Sequence, residues 1–203
     1  MEILYAGLQS VPLVDVVFLK LDGSPVDVAL SSVSLVFNGK NSILSFAREM
    51  ELPEHEIEGI YLAASIHDVG KIAIPAEILS KPGKLSDIEF MLVKTHAQAG
   101  YDLIRGLDFP WELATMVYQH HERMDGSGYP QGLKGPDILL GARIMAVADT
   151  VEAMATHRPY RAGLGIDFAL AEITRNKGKL YDPDVVDICL RLFREKGFKL
   201  EDN

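Results

Sequence analysis

A chain of 203 residues, 48% hydrophobic and 24% charged, has the balance of a globular protein with a sizeable core, and its length suits one domain with at most a small appendage. The net charge of −9 and pI ≈ 5.1 exclude a general DNA, RNA or anionic-membrane binder, which needs a surplus of Lys and Arg. The lone Cys189 excludes an internal disulfide framework and a Cys-based zinc site; with no apolar run of membrane-spanning length and no basic leader, a reducing cytoplasm is expected.

Residues 1–37 read differently from the rest. "LVDVVFLKLDGSPVDVALSSVSLVF" is rich in Val and Leu, and Asp22-Gly23-Ser24-Pro25 makes a turn between two short runs. That pattern predicts a β-hairpin-like appendage, a structural or regulatory cap in front of a main domain over 38–203.

From about Asn41 the pattern turns helical. "NSILSFAREM" reads as a short amphipathic helix. Pro53 suits a first helical turn, with Glu54, Glu56 and Glu58 complementing the helix dipole, and Ile57, Ile60, Tyr61 and Ala64 carry the helix towards His67. Ser86 and Glu89 form a capping box that opens a helix through Ile88, Met91, Leu92, Thr95, His96 and Ala99. Another helix runs from near Trp111 to His120-His121. "ERMDGSGYPQGLKGPD" is a Gly- and Pro-rich loop. A long apolar helix over Ile138 to Ala155 contains Asp149, and two amphipathic helices, about 166–175 and 183–196, close the chain. The main body is all-α.

Four of the six histidines fall at or near helix ends, and one apolar helix carries an acid in its middle. His67, Asp68, His96, His120, His121 and Asp149 are the candidate metal ligands. Imidazole nitrogen with carboxylate oxygen suits first-row transition metals. Six ligands exceed what one four-coordinate ion uses, so two ions are expected, and a bridging carboxylate such as Asp68 would let them sit roughly 3.5–4 Å apart and activate water for phosphate-ester hydrolysis. Taken singly, each histidine could instead be a satisfied core residue. Asp149 is the strongest single case: flanked by Val147, Ala148 and Val151, its carboxylate needs a metal or a cation, the alternative being a salt bridge to Arg143 or Arg158. His55 and His157 read as surface residues.

Lys71, four positions after His67, could bring an ammonium to a phosphate or be a solvated lysine. Arg158 and Arg161, nine and twelve residues after Asp149, offer guanidinium forks for phosphate oxygens. Tyr129 could stack on a base or simply pack.

Together "HDVGK", "KTHAQAG", "HHERMDGSGYP", "ADTVEAMATHRPYR" and "LYDPDVVD", in that order, resemble the HD-GYP family, a branch of the HD phosphohydrolases, over about residues 40–195. The resemblance implies an HD-type helical bundle with two or three metal ions, iron or manganese, that hydrolyses cyclic di-GMP to pGpG or GMP. It implies His67, Asp68, His96, His120, His121 and Asp149 as metal ligands, Lys71, Arg158 and Arg161 on the phosphates, and the Gly128-Tyr129-Pro130 loop as a contact for GGDEF-domain partners. One departure stands out. The family's His on the first helix, sometimes with a Glu one turn earlier, has no counterpart in "NGKNSILSFAREM", where it would fall near Gly39, and no His precedes His55. The expectation is therefore two ions rather than three, in a cyclic di-GMP phosphodiesterase. The alternatives are a nucleotide-binding module with little turnover and a hydrolase of another phosphorylated small molecule.

Overall fold

The computed structural model describes residues 40–156 and 163–200, all within the compact unit Val36–Asn203. The hairpin expected over 1–37, the position near Gly39, and His157, Arg158 and Arg161 lie outside the described residues. Nine α-helices follow in order among the described residues: α1 Lys40–Glu49, α2 Glu54–Ile66, α3 Ala76–Leu79, α4 Asp87–Lys94, α5 His96–Ile104, α6 Leu113–Gln119, α7 Leu140–Ala155, α8 Ile166–Arg175 and α9 Pro183–Arg194. There is no strand among them, only the isolated bridges Asp125–Lys134 and Lys177–Tyr181. The all-α expectation for the main body holds.

α7 is the central rod. Gly141, Ala142, Ile144, Met145, Ala146, Val147, Ala148 and Val151 are all buried, and α1, α2, α6, α8 and α9 pack around it. A helix apolar on nearly every side is stable only when covered on nearly every side. Small residues set the approach distances. A Cβ on Gly141 would lie 2.3 Å from the Met116 sulfur on α6. At Gly70, in the 3-10 turn Val69–Ala73 that follows α2, it would lie 2.0 Å from the His96 carbonyl and 2.4 Å from the Gly100 amide. Only glycine lets that turn lie on α5, and this contact brings His67-Asp68 to His96.

The helix expected through Met91 and Ala99 breaks in two at Thr95. The Thr95 hydroxyl donates to the Leu92 carbonyl at 2.7 Å, and its amide bonds the same carbonyl at 3.1 Å, tightening the last turn of α4. The break starts α5 on a new axis with His96 buried at its first position.

The closing "LYDPD" stretch is structural. Asp182 caps α9, accepting from the Asp184 amide at 2.9 Å, with Pro183 at the first helical position. Its other oxygen pairs with Arg143 of α7. Leu180 accepts a backbone hydrogen bond from Met124, tying this segment to the Gly-rich loop.

Candidate metal centre

Three imidazoles are aimed by one device. His67 ends α2, His96 follows the end of α4, and His120 ends α6. In each, Nδ1 meets the carbonyl three residues back: Ala64 at 2.7 Å, Val93 at 2.7 Å and Val117 at 2.6 Å. The last carbonyls of a helix lack amide partners, so an imidazole at that position satisfies one. A carbonyl only accepts, so Nδ1 holds the proton and donates, leaving Nε2 as a bare lone pair pointed inward.

Those lone pairs converge. His96 Nε2 is 3.3 Å from His120 Nε2. Asp68 places Oδ2 3.4 Å from His67 Nε2 and Oδ1 3.6 Å from His96 Nε2, and Asp149 Oδ1 is 4.0 Å from His67 Nε2. The His121 ring lies 4.0 Å from that of His120, centre to centre. Two trios have mutually close ligand atoms, His67-Asp68-His120 and His96-His120-His121, each within 4.8 Å, and they share His120. The six residues expected as ligands thus come together from α2, α5, the end of α6 and α7. Arg143, weighed as a partner for Asp149, pairs with Asp182 instead. His55 is exposed, as expected.

The electrostatics fit a cation. Burial depresses the basicity of His96, and more strongly that of His120 and His121, keeping them neutral and able to ligate. Burial works to raise Asp68, but positive charge beside it, an imidazolium at His67 and the Lys71 ammonium 2.5 Å from Oδ2, outweighs it and holds the carboxyl at about 2. Imidazole nitrogens together with a carboxylate that addresses two histidines through separate oxygens are a donor set that suits a first-row transition metal.

The Gly-rich loop folds back over this centre through a residue that sequence reasoning missed. Glu122 is buried, and its carboxylate accepts from the amides of Gln131 at 2.6 Å, Gly132 at 3.1 Å and Leu133 at 3.0 Å. Gly128 passes so near the strand of chain below it that a Cβ would lie 2.4 Å from the Arg123 amide. Tyr129 then lies over His121, ring centres 4.7 Å apart and 31° between planes. The only available signal was a carboxylate directly after two candidate ligand histidines and before a Gly- and Pro-rich loop. A cleft of about 610 Å³ opens beside Tyr129, bordered by α4 and α5.

Comparison with known proteins places the chain in a family. A family model described as "HD domain" matches residues 27–185, starting ahead of the first described helix. The chain belongs to the HD-domain family, and the resemblance to its HD-GYP branch holds. It is 46% identical over 147 residues to the cyclic di-GMP phosphodiesterase response regulator RpfG of Xanthomonas campestris pv. campestris, covering 71% of this chain and 39% of that protein. It is 38% identical over 138 residues to the 3′3′-cGAMP-specific phosphodiesterase 3 of Vibrio cholerae, covering 68% of this chain and 30% of that one. An HD-GYP protein from Bdellovibrio bacteriovorus has the same fold at a TM-score of 0.64 and 18% identity, over 79% of this chain and 53% of that chain. The HD-domain chain thus spans well under half the length of these two curated relatives. No described helix is long and apolar enough to cross a membrane.

Proposed function

We propose that this HD domain, residues 38–203, is a metal-dependent phosphodiesterase that hydrolyses cyclic di-GMP, using two ions, iron or manganese, held by His67, Asp68, His96, His120, His121 and Asp149. The observation that carries the reading is Asp68, whose two oxygens address His67 and His96 separately, as a carboxylate shared by two ions would. Ions bound there supply Lewis acidity to phosphoryl oxygens and lower the pKa of water, so that it attacks phosphorus at neutral pH. Water adds to phosphorus, a P–O ester bond breaks, and the ring opens to pGpG; a second round yields GMP.

The chain's own residues position and neutralise. Lys71 keeps one donor on Asp68 at 2.5 Å and has two more for a phosphoryl oxygen. Arg158 and Arg161 take further phosphate oxygens, as bidentate forks do best. Tyr129, fixed against His121, offers a platform for a base, and the Gly128–Pro130 loop around it is the surface for a GGDEF-domain partner.

The test measures metal content and release of linear product from cyclic di-GMP and 3′3′-cGAMP with added iron or manganese. Two ions per chain and pGpG or GMP formation, abolished in Asp68→Ala, are expected. Unchanged rates in that variant would refute the reading. The missing first-helix His favours a second reading, a nucleotide-binding module, for which tight binding of cyclic di-GMP without linear product is the signature.

A further inference from the structure

The cleft beside Tyr129 contains polar chemistry that phosphate hydrolysis does not use. Its polar wall comes from the end of α4 and the outer face of α5: Lys94, Gln98 and Asp102, with Met91 and Pro130 as apolar borders. Its 610 Å³ falls within the roughly 300–1,000 Å³ of small-molecule sites. These side chains are held in place. Tyr118 donates its hydroxyl to Gln98 Oε1 at 2.6 Å, which settles the amide orientation, so Gln98 Nε2 donates to Asp102 Oδ2 at 3.0 Å. Arg105 Nε holds the other oxygen, Oδ1, at 3.1 Å. Each carboxylate oxygen keeps a lone pair for a ligand. Lys94 places its ammonium 5.1 Å from the Tyr129 ring centre and 4.8 Å from that of Phe90.

We propose that this cleft is a guanine-selective base pocket, in which the Asp102 carboxylate accepts from N1–H and the 2-amino group and the Lys94 ammonium donates to O6 or N7. The proposal deepens the phosphodiesterase reading and rests on it. Guanine presents two adjacent donors on one edge and two acceptors on the other, and a cleft lined by both a carboxylate and an ammonium offers a partner to each. Adenine has neither N1–H nor a 2-amino group and turns its N1 lone pair towards the carboxylate, so both hydrogen bonds are lost and acceptor faces acceptor. Tyr129 joins this pocket to the reacting centre, since its ring borders the cleft and packs on His121. Gln98 is a positioning residue that acts through Asp102.

The test compares the full chain with Asp102→Ala and Asp102→Asn on cyclic di-GMP, 3′3′-cGAMP and bis(p-nitrophenyl) phosphate, a phosphodiester without a base. Asp102 and Arg105 are exposed, and thermal unfolding checks that the variants fold. The expected result is a KM for cyclic di-GMP raised roughly 10–100-fold, kcat within about 3-fold, a lower preference for cyclic di-GMP over 3′3′-cGAMP, and unchanged cleavage of the base-free ester. An unchanged KM overturns the pocket, and so does an equal loss on the base-free ester. If the wild-type chain cleaves the base-free ester but no cyclic dinucleotide, the phosphodiesterase reading fails. The pocket is then judged by calorimetric binding of GMP, which it requires to weaken by the same factor in Asp102→Ala. Absence of GMP binding in the wild type overturns it.

Discussion

His96 and His120 point bare nitrogens at each other across 3.3 Å. Each has its proton engaged on the far side of the ring, at the Val93 and Val117 carbonyls. Two lone pairs at that separation repel unless a cation lies between or beside them, and burial works against a proton taking that place.

Metal removal should therefore cost stability as well as activity. A ligand that binds only the folded state stabilises it by RT ln(1 + [L]/Kd), about 4 kcal/mol at a thousandfold excess over Kd. Chelation is expected to lower the unfolding temperature, and iron or manganese to restore it. Scanning calorimetry with and without chelator measures this, and in His120→Ala, which removes the candidate ligand shared by both trios, the metal-dependent shift should vanish.

Glu122 pins the Gly-rich loop by three amides. Glu122→Ala removes the acceptor of three amides, at roughly 1–3 kcal/mol for each donor left unsatisfied and less where water enters, as it can at the exposed Gln131 and Gly132. We expect a loss of about 2–4 kcal/mol in denaturant unfolding. We also expect faster amide exchange at Gln131, Gly132 and Leu133 while the rest of the fold keeps its protection. Uniform loss of protection across the chain would show that Glu122 serves general folding rather than the loop.

The start of α4 should be acid-sensitive. The Lys81 ammonium, then the Ser86 amide and hydroxyl, hold Glu89 at about 2 from an ordinary 4.5. A carboxyl depressed in the folded state stabilises it fully above its unfolded pKa, and the contribution is lost as pH falls through the folded one. The stability difference between wild type and Glu89→Gln should be constant above about pH 5 and shrink between about 4.5 and 2. Urea midpoints across that range measure it. Ser86→Ala, which removes the cap to the Glu89 amide, should cost about 1 kcal/mol at neutral pH.

Much of this was written locally in the chain. Apolar periodicity marks α1, α2 and α7 to α9 to within a few residues, because a helix face is decided by neighbours three and four positions away. The candidate ligand types were legible for a similar reason: an acid such as Asp149 inside "IMAVADTV" stands out on an otherwise apolar helix. The break at Thr95 escaped the pattern, since a hydroxyl bonding back to Leu92 leaves the apolar spacing unchanged.

Only the tertiary structure decided how those ligands work together. The sequence by itself determined an all-α domain with six candidate metal ligands. It carried no information on which Asp68 oxygen meets which histidine, that Arg143 takes Asp182 rather than Asp149, that Glu122 holds the loop, or that Gln98 and Asp102 form a wall beside Tyr129. Coordination and loop anchoring depend on ångström-scale distances between segments tens of residues apart. Those distances are set by close approaches such as Gly70 on the backbone of α5, which exist only once the helices have packed.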